Sequence, residues 1–125
     1  MEFRIARHTN YLNQVIDFYT NILALEILFS FENHNDYSEV FIGKPGLNWH
    51  FEFTESLTPA EHKQDAEDFL VFYPTEKNEY DQIIANIEAK DILKIKPKNP
   101  FWVENGVLIN DPDGFGIIIS NFKIR

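Results

Sequence analysis

The chain has 125 residues, 44% hydrophobic and 15% aromatic, which is enough apolar material for the core of one domain. It contains no cysteine, so disulfides, thiolate ligands and cysteine nucleophiles are excluded, and any metal site must be built from nitrogen and oxygen. A net charge of −9 disfavours a phosphate backbone as partner.

The first ten residues carry Glu2, Arg4 and Arg7 and no apolar signal core, and no run approaches the roughly 20 apolar residues that span a bilayer. The expectation is a cytoplasmic protein with neither a nucleic-acid nor a membrane partner. The only basic cluster, Lys94, Lys96 and Lys98, reads as a solvated strand edge protected against pairing.

In chain order, residues 3–7 alternate apolar and charged and predict a strand. Residues 11–23 place Leu12, Val15, Ile16, Tyr19 and Leu23 at helical spacing, with Asn10 as the candidate cap. Residues 25–31, 37–42 and 47–54 predict three further strands, separated by the turn clusters Asn33-His34-Asn35-Asp36 and Gly43-Lys44-Pro45-Gly46. Residues 55–67 read as a linker, with Thr58-Pro59-Ala60-Glu61 as a helix-start signal.

The same order then returns. Residues 68–73 predict a strand, 78–89 a helix, 92–95 an apolar run leading into Pro97 and Pro100, and 106–110 and 115–122 two closing strands around Asp111-Pro112-Asp113-Gly114. Residues 21–28 and 86–93 match at five of eight positions. The predicted fold class is therefore α+β: two βαβββ repeats, about residues 1–54 and 68–125, forming curved mixed sheets around a pocket within one domain.

Strand alternation sorts the candidate site residues. Trp49, Phe51 and Phe53 share one face with Phe3 and Ile5, while His50, Glu52 and Thr54 share the other with Arg4, Ala6 and His8. In the second half, Phe69, Val71 and Tyr73 are grouped with Phe115, Ile117 and Ile119 under the helix, and Asp68, Leu70 and Phe72 with Gly116, Ile118 and Ser120 on the pocket wall. The mixed, partly polar set suits a cavity wall for a small organic molecule.

Glu52 reads either as a general base or metal ligand, or as the partner of Arg4 in a buried ion pair whose loss costs about 3–5 kcal/mol. His50 is either a proton-transfer group or a simple donor. A substitute metal set of His8, His50 and Glu52 is open, its chemistry suiting Zn, Mn, Fe or Ni. Trp102 and Phe72 are candidates for lining the pocket. His34 and His62 read as surface residues.

Asp17-Phe18-Tyr19-Thr20-Asn21-Ile22-Leu23-Ala24-Leu25-Glu26 and the closing Asn110-Asp111-Pro112-Asp113-Gly114-Phe115-Gly116 resemble the signatures of the vicinal oxygen chelate superfamily, which includes glyoxalase I, bleomycin resistance proteins and dioxygenases. Ala24 stands where that family usually has Gly. The segment 46–54, with Asn99-Pro100-Phe101-Trp102, looks like its YycE-like subgroup of bacterial proteins. The resemblance implies the paired βαβββ fold, a small-molecule ligand and a homodimer.

It also implies a divalent metal held by one residue from the first and last strand of each half. Those positions fall on Arg4, Glu52, Asp68 and Ile118, of which a guanidinium and an isoleucine supply no lone pair. The leading expectation is thus a glyoxalase/bleomycin-resistance-like binding protein of undetermined ligand, with no cofactor. The alternative is a metal-dependent lyase, isomerase or dioxygenase using the His8, His50 and Glu52 set.

Overall fold

The structure is a computed structural model that describes residues 1–123. It is α+β and divides into two compact units, Met1–His62 and Lys63–Arg125. In the first unit β1 (Phe3–His8) is followed by α1 (Leu12–Asp17), a π-helical turn (Phe18–Ile22), β2 (Glu26–His34), β3 (Tyr37–Gly43) and β4 (Trp49–Glu55). The sheet order is β1-β4-β3-β2, with β1 parallel to β4 and the other pairs antiparallel.

The helix buries Leu12, Val15, Phe18, Tyr19, Ile22 and Leu23. At about 100° per residue these six positions fall within about 140° of the helix circumference, one broad apolar face. The helix ends in a π turn, with Leu23 N–H donating to the Phe18 carbonyl at 3.3 Å. Tyr19 is fully buried, its ring 4.9 Å from both Phe51 and Phe53. Arg7 belongs to this covered face too: its Nη2 donates to Tyr19 Oη at 3.4 Å and its guanidinium lies 5.4 Å over Phe53.

Asn10 does not cap α1. Its side chain donates to the Ala60 carbonyl and accepts the Ala60 N–H, while Thr9 Oγ1 accepts from Tyr11 N–H beside the helix start. Thr58-Pro59-Ala60-Glu61 opens no helix, and Asn10 occupies the Ala60 carbonyl that a helix would need for its own ladder.

The second unit contains β5 (Phe69–Phe72), α2 (Lys77–Ala89), α3 (Pro100–Asn105), β6 (Val107–Asn110) and β7 (Gly116–Ile119), with sheet order β5-β7-β6 and β5 parallel to β7. The apolar run at 92–95, where the βαβββ repeat calls for its second strand, forms only one bridge, Ile95 with Leu108. Pro97 and Pro100 follow it closely and have no N–H to extend a ladder. Asn99 and Pro100 instead start α3, Asn99 Oδ1 accepting from Phe101 N–H with Pro at the first turn, a start signal legible in the sequence.

The expected grouping of side chains in this sheet is corrected. Phe69 lies beside Gly116 and Val71 beside Ile118, while Leu70 and Phe72 lie beside Ile117 and Ile119. The parallel register is one residue longer than in the first unit, where Phe3 lies beside Trp49, and a one-residue shift exchanges the faces. Gly116 makes the shift possible, since a Cβ there would stand 2.7 Å from the Phe69 ring. The Asp111-Pro112-Asp113-Gly114 turn forms as expected: Asp111 Oδ1 accepts from Asp113 N–H and Phe115 N–H, and Gly114 takes φ +88°.

The matched octapeptides do not end their helices alike. The left-handed residue is Ala24 after the first helix and Asp91 after α2, two positions apart in the alignment. Asp91 sits at the centre of a Schellman closure, Ile92 N–H bonding the Ile87 carbonyl and Asp91 N–H the Glu88 carbonyl.

Candidate functional site

The register of β1 with β4 sets Arg4 beside His50, Ala6 beside Glu52 and His8 beside Thr54 on the uncovered face of the first sheet. Strand β3 adds Phe41 beside Glu52, Glu39 beside Thr54 and Gly43 beside His50. Three of the residues named from the sequence are brought together. His50 Nε2 lies 2.9 Å from Glu52 Oε2, and Arg4 Nη1 lies 3.5 Å from the same oxygen.

The pair is not buried as expected. The Arg4 side chain is 57% exposed and shares its guanidinium with Glu2 at 3.4 Å, while Glu52 is 17% exposed. The reason is position: Arg4 lies on the edge strand β1, where solvent reaches one side of the sheet. His50 is part-buried and its ring stacks on Phe41 at 5.1 Å and 25°.

His8 is directed elsewhere. Its Nε2 is 2.9 Å from Ser56 Oγ, and its carbonyl accepts from His62 Nε2 at 2.7 Å, so His62 secures the chain after β4 and is half-buried. Asp68 precedes β5 and closes a turn, its Oδ2 accepting from Asp65 N–H. Phe72 is half-buried beside Ile119 in β5, and Trp102 stands edge-on to Phe101 in α3. Ile118 is fully buried.

Glu39 and Phe41 were missed at the sequence level. Their alternation with Val40 and Ile42 assigns them a common face, but only the β3–β4 register shows that this face is the one carrying Glu52. Burial, and then the charge of Glu52, push the Glu39 carboxyl above the ordinary range.

These donors do not fit a four-ligand metal centre. Arg4 brings a permanent cation and Ile118 an alkyl chain to two of the four positions. Among the described residues no three His, Asp or Glu side chains converge on one point. What the arrangement offers is a carboxylate shared by an imidazole and a guanidinium, flanked by aromatic rings.

Residues 3–54 match the YycE-like N-terminal domain and residues 67–121 the YycE-like C-terminal domain. The chain belongs to the YycE-like family. The uncharacterised protein YycE of Bacillus subtilis (strain 168) is 35% identical over 126 residues, covering 98% of this chain and 88% of that protein. Its crystal structure superposes with a TM-score of 0.81 at 34% identity, covering 98% of this chain and 90% of that one.

More distant structures share the fold. The fosfomycin resistance protein FosX of Listeria monocytogenes, solved with Mn(II) and 1S,2S-dihydroxypropylphosphonic acid, has a TM-score of 0.70 at 20% identity over 97% of this chain and 91% of that one. The antibiotic binding protein TnmS3 of Streptomyces sp. CB03234 has a TM-score of 0.66 at 14% identity over 96% and 93%. The YycE-like fold is thus that of the vicinal oxygen chelate superfamily, whose relatives include both a metal-containing protein and a binding protein.

Proposed function

We propose that this YycE-like protein binds a small organic molecule on the polar face of its first sheet, without the four-ligand metal centre, and that it works as a cytoplasmic homodimer. The observation that carries the reading is the Arg4–Glu52–His50 constellation, in which one carboxylate is shared by two nitrogen groups where the superfamily pattern asks for metal ligands. Small-molecule binding by FosX and TnmS3 supports the ligand class at the level of fold. The dimer reading rests on β2, an edge strand with Ile27, Leu28 and Phe29 exposed.

The test is native mass spectrometry with elemental analysis of untagged protein purified from its own host. A retained organic mass and substoichiometric metal are expected. Near-stoichiometric Zn, Mn, Fe or Ni, released by Glu52→Gln or His50→Ala, would replace this reading with a metal-dependent lyase, isomerase or dioxygenase.

A further inference from the structure

The side chain of His50 is held from three sides. Nε2 is bonded to Glu52 Oε2 at 2.9 Å, the ring plane lies on Phe41, and Gly43 stands opposite, where any Cβ would come within 2.9 Å of His50 Cβ. A carboxylate has no proton to give, so Nε2 is the donor of this bond. In the neutral ring the lone pair is therefore on Nδ1. That nitrogen makes no hydrogen bond to the protein among the described residues. A carboxylate that fixes one ring nitrogen in this way selects the tautomer and aims the other.

The groups around it are mostly acceptors. The Arg4 guanidinium is shared between Glu2 and Glu52, and Glu39 adds a carboxyl two residues before Phe41 on the same strand face. Beside His50 runs an apolar surface: Phe41 stacks on the imidazole, Phe29 lies 5.4 Å from Phe41 at a tilt of 58°, and Phe29 is 54% exposed. A ligand complementary to this face supplies a donor and a planar body.

We propose that His50 Nδ1 accepts a hydrogen bond from a bound small molecule carrying an N–H or O–H on a flat unsaturated body, which packs in the angle between the tilted Phe41 and Phe29 rings. Glu52 is then a positioning residue acting through His50. This assignment rests on the small-molecule reading above and gives it a ligand class.

Two measurements test it. In nitrogen-15 NMR of the histidine rings at a pH where they are neutral, His50 is expected to show pyrrole-type Nε2 and pyridine-type Nδ1, and Glu52→Leu is expected to lose that preference. The reverse tautomer in the wild-type protein overturns the assignment. The second measurement needs no variant to fold: 4-methylphenol and 4-methylanisole share a ring and differ in the donor. Titrated into wild-type protein, the phenol is expected to shift the His50 and Phe41 resonances with about fivefold tighter binding, the net worth of one hydrogen bond. Equal binding of the two keeps the small-molecule reading and overturns the donor assignment, whereas silence from both overturns the two together.

Discussion

Glu39 carries an electrostatic cost that should be visible in stability. Burial and the neighbouring Glu52 raise its folded-state pKa, so the folded chain holds this proton to higher pH than the unfolded chain does. The cost is absent below the ordinary carboxylate range and fully present above the raised value, so this group lowers stability as pH increases. Glu39→Gln is accordingly expected to have a higher Tm than wild type at pH 7 and the same Tm near pH 4. A lower Tm at pH 7 would mean that favourable contacts of the Glu39 carboxylate outweigh this cost.

Arg4 belongs at the same scale with the opposite lesson. Because its guanidinium is more than half exposed, Arg4→Met is expected to cost less than about 1 kcal/mol in urea unfolding, and not the several expected of a buried pair. His50 remains on Glu52 when Arg4 is gone, so the carboxylate keeps a hydrogen-bond donor. A loss of 3 kcal/mol or more would show that Arg4 is held in a drier setting.

Among the elements, the first helix depends on how it stops. Ala24 has φ +60°, a left-handed conformation that brings Cβ against the following carbonyl and that glycine adopts freely. Ala24→Gly is expected to stabilise the protein by roughly 0.5–1 kcal/mol in urea unfolding, the relief of strain being partly offset by the greater freedom of Gly in the unfolded chain. A destabilised variant would indicate that the Ala24 methyl makes packing contacts worth more than the strain. The helix order, the turns and the first-sheet faces were legible because periodicity and turn chemistry are local. The π turn, the reduction of the 92–95 run to one bridge and the destination of Asn10 were not, because each is decided by what the element meets after the chain has crossed to another.

For the whole molecule, β2 is the element that calls for a partner. Nine residues long and on the sheet edge, it exposes Ile27 and Phe29 by about half of their surface, with Glu26 and Glu32 among its few charges. Long apolar edges of this kind template pairing with another chain unless something covers them. Sedimentation at tens of micromolar, roughly where a standard-size interface holds, is expected to show a dimer, and Ile27→Lys to shift it toward monomer. Only monomer for the wild-type chain would remove the dimer from the proposal.

Sequence patterns by themselves determined the repeated α+β organisation, the family resemblance, the unsuitability of Arg4 and Ile118 as metal ligands, and the common face of Arg4, His50 and Glu52. All of these follow from residue chemistry or from a two-residue alternation that persists wherever the strand lies. Only the tertiary structure decided which strands adjoin and in what register. That register sent His8 to Ser56, brought Glu39 and Phe41 to His50 and Glu52, and exchanged the faces of the second sheet through one residue beside Gly116. The physical reason is that pairing between strands is a long-range choice, settled by side-chain fit across the sheet, and a shift of one residue leaves the local pattern of each strand unchanged.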